Sequence, residues 1–219
     1  MTGQLNLVVL GKQGAGKGTQ SQLLGDRFHL AHISTGDILR AAVQARSPLG
    51  LEVTAVLDSG QLVSDDLVNK LVEDRLKEPD AERGVVLDGF PRNIEQAQAL
   101  ERILGVGGVK LCIDIELPND LVIVRLSSRR VCQECGTIYK DTDVAAISGT
   151  CEVCGGDVVQ RSDDTPDAIR QRLETFERDT LPLLSFYESR GVLVKVNGNQ
   201  DVEKVAADID ALLRGRGLA

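Results

Sequence analysis

A lysine set among four closely spaced glycines raises the first chemical question. Gly11, Gly14, Gly16 and Gly18 surround Lys17 just after the apolar run from Leu5 to Leu10. Backbone N–H groups without a neighbouring Cβ can wrap a phosphate closely. A helix starting there adds partial positive charge, and the lysine reaches the outer phosphates. The phosphate-loop template is Gly, four residues of any type, then Gly-Lys-Ser/Thr. Gly11, Gly16 and Lys17 fit it, while Gly18 takes the Ser/Thr place and Thr19 comes one later. Without a hydroxyl directly after the lysine, Mg²⁺ is expected to be held mainly through water and nucleotide phosphates. The plain alternative is a glycine-rich strand-to-helix turn, and the lysine in that context argues against it.

A second group of reactive side chains is Cys132-x-x-Cys135, then fifteen residues, then Cys151-x-x-Cys154. This spacing matches structural zinc sites, and Gly136 and Gly155 let the chain turn around a tetrahedral ion. Four protein ligands leave no open position, so the ion would hold a small β-rich flap together and take no part in chemistry. Iron is the other ion that four thiolates hold. Cys112 lies inside an apolar run and reads as a small core residue. A nucleic-acid-binding zinc ribbon is the competing reading. Between Cys132 and Cys154, however, Glu134, Asp141, Asp143 and Glu152 stand against Lys140 alone, which disfavours it.

The elements that must position these groups follow from periodicity. Leu5 to Leu10, Ala31 to Ser34, Gly84 to Asp88, Lys110 to Leu117 and Val192 to Val196 are too short and too apolar for helices and read as buried strands. Helices are expected over about 17–27, 38–43, 52–59, 93–104, 120–130 and 201–213, with another starting after Ser64. Ser47 to Gly50 reads as a break. Thr165 reads as a helix cap with Pro166 at the first position, and the stripe Ile169, Leu173, Phe176, Leu183, Leu184, Tyr187 carries that helix on to Gly191. Strands alternating with helices give a five-stranded parallel sheet covered on both faces, an α/β/α arrangement. Ligands of such sheets bind beyond the carboxyl ends of the strands, where Lys17, Thr35, Asp88 and Arg92 all fall.

At 219 residues the chain can bury a sizeable core, and 42% hydrophobic residues is ordinary for a globular protein. A net charge of −8 argues against a general nucleic-acid binder. With no run of membrane length and no basic-apolar leader pattern, a cytoplasmic protein without membrane attachment is expected. Thiols in that compartment favour metal over disulfides.

Taken in order, six segments resemble the adenylate kinases of the nucleoside monophosphate kinase family. They are Gly11-x-x-Gly14-x-Gly16-Lys17-Gly18-Thr19, Ser34-Thr35-Gly36-Asp37-x-x-Arg40, Gly60-x-Leu62-Val63-x-Asp65, Asp88-Gly89-Phe90-Pro91-Arg92, Arg129-Arg130, and Arg161-x-Asp163-Asp164 with Arg172. The likeness runs from Leu7 to about Asn197. It implies a phosphate-loop core over 1–33, 64–127 and 165–219, a helical AMP-binding insert over 34–63 and a zinc-binding lid over 128–164. The implied reaction is Mg²⁺-dependent, reversible transfer of the terminal phosphoryl group of ATP to AMP, giving two ADP, by a monomer.

The same resemblance implies roles for residues. Lys17, Asp88, Arg92, Arg129, Arg161 and Arg172 would form the catalytic set, with Asp88 orienting Mg²⁺ through its waters. ATP would lie against Gly14, Ala15, Gly16, Lys17, Gly18, Thr19, Arg125, Arg129, Ile138, Tyr139 and Gln200. AMP would meet Thr35, Arg40, Gln61, Leu62, Val63, Gly89, Arg92, Gln96, Arg161 and Arg172. Asp163 and Asp164 would latch the lid by pairing with arginines, and Cys132, Cys135, Cys151 and Cys154 would hold the structural Zn²⁺. Arg130 and Arg170 read as structural or surface residues. Related pyrimidine kinases typically have Ala in place of Thr35 and a short lid without cysteines, so both features favour AMP. Three positions depart from the family pattern: Gln13 stands in place of Pro, Thr165-Pro166-Asp167 in place of Asn-x-Glu, and Phe176 in place of Tyr.

Overall fold

The computed structural model describes residues 4–218. The first three residues and Ala219, which the expected division assigns to the core, lie outside the described residues. In chain order the strands are β1 (Leu7–Leu10), β2 (Ala31–Ser34), β3 (Val85–Asp88), β4 (Leu111–Glu116), β5 (Arg129–Cys132), β6 (Ile138–Lys140), β7 (Val158–Val159) and β8 (Leu193–Asn197). The helices are α1 (Lys17–Phe28), α2 (Thr35–Gln44), α3 (Pro48–Asp58), α4 (Asp65–Leu76), α5 (Ile94–Leu104), α6 (Asn119–Ser128), α7 (Val144–Ser148), α8 (Pro166–Thr175), α9 (Pro182–Glu188) and α10 (Val202–Gly215).

Every residue of β1 and β3 is buried, which is why both are unbroken apolar runs apart from the terminal Asp88. The main sheet is parallel in the order β2-β3-β1-β4-β8. Its residues alternate between two helix layers, as a period of two requires. Val9, Ile113 and Ile115 pack with Leu24 of α1, Leu126 of α6, Ile169 of α8 and Ile209 of α10. Val8, Leu10 and Leu87 pack on the other face with Val72 of α4, Leu100 of α5 and Tyr187 of α9. β1 has β3 on one side and β4 on the other, so the chain reverses its winding direction there. The glycine loop leaves the carboxyl end of β1 at that switch point, where open α/β sheets bind ligands.

A second, antiparallel sheet in the order β6-β5-β7 carries the cysteine segment. A short helix, α7, joins its strands, which the expectation of a β-rich flap did not include.

Three details differ from the periodicity. α3 starts at Pro48, because Ser47 accepts a hydrogen bond from the Gly50 N–H and caps the helix that was read as a break. Ser64 precedes α4 but its side chain makes no capping bond. The helix expected to run from Thr165 to Gly191 is interrupted over Phe176–Thr180 by a π turn, with the Leu181 N–H on the Phe176 carbonyl at 2.8 Å. Pro182 follows without an N–H to donate, and the Thr180 hydroxyl reaches across to the Arg92 carbonyl at 2.8 Å.

Candidate active site

The loop is shaped by its glycines. Gly11 and Gly16 take φ values of 139° and 98°, and a Cβ on Gly11 would lie 2.5 Å from the Ile115 carbonyl oxygen. Gly16 stands at the N-cap of α1, so Gly18 and Thr19 sit in its first turn. Lys17 folds back along the loop, its Nζ donating to the Gly11 and Lys12 carbonyls at 2.8 and 2.9 Å. Close packing round the ammonium pushes its pKa down to about 8. Asp88 partly offsets this, and Arg92, Arg172 and Arg129 add to it. Arg125 braces the loop, with Nη1 on the Gly14 carbonyl at 3.2 Å and Nη2 on the Gly198 carbonyl at 3.0 Å.

Three arginines distant along the chain, Arg92, Arg129 and Arg172, act on that lysine, and Arg161 faces Arg129 and Arg40. Burial, then Arg172 and Arg40, hold Arg92 down to about 10, while its Nε donates to the Gly89 carbonyl at 2.8 Å. Burial, then Arg40 and Arg129, bring Arg161 to about 10 as well. Arg172 is likewise lowered by burial. Like charges crowded out of water form an anion site with fixed donors. Two carboxylates limit the repulsion. Arg129 grips Asp164 with Nε–Oδ2 at 2.8 Å and Nη2–Oδ1 at 2.5 Å, and Arg172 meets Asp163 Oδ2 at 3.0 Å and Asp164 Oδ1 at 3.5 Å. Burial raises the Asp163 carboxyl, but Arg172, Arg40, Arg129 and Arg161 outweigh it and leave it below the usual range.

Residues 34–63 border this cluster. Thr35 is buried and its hydroxyl donates to the Gly89 carbonyl at 2.9 Å. Arg40 pairs with Asp37 at 2.5 Å. Gln61 is exposed, Leu62 half-buried and Val63 buried. Two contacts reach this segment from residues 128–164: Ser162 Oγ donates to Asp58 Oδ1 at 2.8 Å, and Arg161 Nη2 lies 4.0 Å from Asp37 Oδ1. Gln96 accepts from the Arg92 N–H at 2.7 Å and donates to Asp65 Oδ1 at 2.7 Å, leaving one N–H and one lone pair for a ligand.

Asp88 ends β3 beside the loop, and a Cβ on Gly18 would stand 3.3 Å from its Oδ2. A Ser or Thr at position 18 would thus need that carboxylate to give by a few tenths of an ångström. This donor set, one carboxylate and no neighbouring hydroxyl, suits a Mg²⁺ bridged by its own waters. His32 stands behind, with Nε2 3.9 Å from Asp88 Oδ2 and Nδ1 3.2 Å from Gln22 Oε1.

The cysteine sulfurs fit a tetrahedral ion. Sγ atoms of Cys132, Cys135, Cys151 and Cys154 all lie within 4.8 Å of one another, with Cys132–Cys154 at 3.4 Å and Cys135–Cys151 at 3.6 Å. An ion about 2.3 Å from each sulfur would set them about 3.8 Å apart. The Cys135 and Val153 N–H groups point at Cys132 and Cys151 sulfurs, which favours thiolates. A Cβ on Gly156 would come 3.2 Å from Cys132 Sγ, so the backbone passes close to the cluster. Cys112 is fully buried in β4, as a core residue should be.

The structure therefore brings Lys17, Asp88, Arg92, Arg129, Arg161 and Arg172 to one edge of the sheet. The other candidates are less uniform. Ile138 is exposed on β6, the Tyr139 hydroxyl lies 3.2 Å from Cys151 Sγ, and Gln200 donates to Asn197 O and Asp208 Oδ2. The apolar surface of Ile138 and the Gln200 side-chain carbonyl remain for a ligand, while the Tyr139 hydroxyl is turned to the cysteine cluster. Sequence reasoning missed Asp37 and Asp65 as the partners of Arg40 and Gln96, although both lie inside the quoted motifs. It also missed His32 and the bond from Gln13 to α8, which carry no local signal.

A family model described as adenylate kinase matches residues 9–192. The chain is 46% identical over 213 residues to a Lactobacillus johnsonii protein named adenylate kinase, covering 95% of this chain and 98% of the relative. Proteins of the same name from Geobacillus sp. and Bacillus anthracis are 44% and 42% identical over 214 residues, covering 96% of this chain and 99% of each relative.

Proposed function

The chain belongs to the adenylate kinase family, and from that premise we propose that it moves the terminal phosphoryl group of ATP reversibly to AMP, giving two ADP. It is a nucleoside monophosphate kinase, a phosphotransferase. The observation that carries the specific reading is the convergence of Arg92, Arg129 and Arg172 on the loop lysine Lys17, with Arg129 anchored on Asp164 and Arg172 on Asp163.

Phosphoryl transfer asks little covalent chemistry of a protein. Rate comes from aligning donor and acceptor and from neutralising charge on the moving group. In this reading the loop N–H groups and Lys17 hold the donor phosphates, and Arg125 keeps the loop in shape. Arg92 and Arg172 grip acceptor and transferred groups with planar forks, while Arg129 and Arg161 close over them from the lid. Thr35, Gln96 and the stretch Gln61 to Val63 meet the adenine of AMP, and Arg40 its phosphate. Residues 34–63 and 128–164 close on the core 1–33, 64–127 and 165–219, excluding water that would otherwise accept the phosphoryl group.

Asp88 would orient Mg²⁺ through water, and the bound ion would supply charge neutralisation between the phosphates. Cys132, Cys135, Cys151 and Cys154 would hold Zn²⁺, whose contribution is structural. A cytoplasmic monomer that balances adenine nucleotides and salvages AMP is the setting in which free thiols stay available for an ion. Among the described residues no helix is long and apolar enough to cross a membrane.

A coupled assay of ADP formation from ATP plus AMP tests the reading. AMP is expected to exceed UMP and CMP as acceptor, and ATP to exceed GTP as donor. No turnover with Mg²⁺ present, or a preference for a pyrimidine monophosphate, overturns it.

A further inference from the structure

We propose that Gln13 is a positioning residue, whose carboxamide ties the phosphate loop to α8 and so fixes how far Arg172 stands from Lys17 during transfer. The side chain is 9% exposed, and its Nε2 donates to the Ile169 carbonyl at 3.2 Å, across 156 positions of sequence. Ile169 lies in the first turn of α8, three residues before Arg172, so the two share a helix face. The start of α8 is fixed independently, because Thr165 Oγ1 accepts from the Ala168 N–H at 3.3 Å.

A second segment packs closely against the same part of α8. A Cβ on Gly60 would lie 2.7 Å from Arg172 Cγ and 2.9 Å from the Ala168 carbonyl oxygen. The first two turns of α8 are therefore in contact with both the loop, through Ile169, and Gly60, through Ala168 and Arg172. On the loop side the Gln13 amide makes a buried hydrogen bond, whose loss would leave its polar groups unpaired. Lys17 feels the Arg172 charge directly, so a change in that separation alters the field at the transferred group. Displacements of about 1 Å at such distances are enough to change rates by an order of magnitude or more.

The inference rests on the phosphotransfer reading, and the test separates the two. Wild type, Gln13→Met, Arg172→Lys and the double variant are assayed with ATP and AMP, and each is melted thermally. Met keeps the length of Gln without a donor. Gln13→Leu, a second variant lacking the donor, guards against a folding defect special to Met. Both Gln13 variants are expected to lose about tenfold in kcat. Their KM for ATP should stay within about twofold, with melting shifts of only a few degrees. In the Arg172→Lys background, Gln13→Met is expected to change kcat by less than about twofold, because the two residues act through one placement. An unchanged kcat, an equal loss in both backgrounds, or a loss confined to KM for ATP overturns the proposal. A wild type inactive with ATP plus AMP overturns the assigned reaction instead.

Discussion

The Arg129 guanidinium and the Asp164 carboxylate lie fork to fork, at 2.8 and 2.5 Å, and no part of the carboxylate is exposed. One residue opens β5 and the other precedes the cap of α8, so the pair joins the two ends of the segment that carries the antiparallel sheet. Removing one member leaves the other charge buried without compensation, which costs about 3–5 kcal/mol. Asp164→Ala is therefore expected to destabilise the protein by about that much in urea unfolding. A loss below about 0.5 kcal/mol would mean that solvent reaches Arg129 freely.

ATP affinity is expected to weaken above pH 8. With its pKa lowered to about 8, the Lys17 ammonium is charged below that value and increasingly neutral above it. Bound phosphates favour the charged form, so binding above pH 8 must take up a proton. Calorimetric titration with ATP at pH 8.5 in buffers of different ionisation enthalpy should report that uptake. Lys17→Met should abolish it and lower kcat by at least about a hundredfold.

Asp114 is expected to weaken the fold at neutral pH. Burial in β4, then Glu116, raise its carboxyl to about 6, against Lys195, Lys17 and Lys12, and its exposure is only 4%. A pKa raised in the fold gives stability that is present below the unfolded value of 3.8 and lost as pH rises through about 6. Asp114→Asn should thus stabilise by about 2 kcal/mol at pH 7 and much less at pH 4. Melting at both pH values checks this, and equal shifts at the two would contradict it.

Removing the ion from the four cysteines is expected to lower the melting temperature by more than about 5 °C, and to reduce turnover at low temperature far less. Metal analysis before and after chelation, with calorimetry on both samples, measures the first. A chelated sample that melts unchanged but has lost all turnover would assign the ion to chemistry instead.

The sheet was legible because its strands are short apolar runs bounded by glycine and polar residues, fully buried in β1 and β3 and exposed at alternate positions only in the edge strand β8. Lys17, Asp88 and Arg92 were legible because each follows a strand end, where open parallel sheets place ligands. The π turn at Phe176–Thr180 was not, since it depends on a distant carbonyl of Arg92 reached by Thr180. The start of α3 was misread because Ser-Pro both breaks one helix and caps another. The role of Gln13 was hidden because its partner lies in α8, and a resemblance reports only that the residue type differs there.

The cysteine segment has a very small apolar core, in which Cys132, Ala145, Cys151 and Val158 are the buried members. An ion held by the four thiolates would thus replace hydrophobic burial as the source of its order, while the parallel sheet keeps its own. Loss of one sulfur ligand would then loosen this flap alone and leave the packing of the parallel sheet intact.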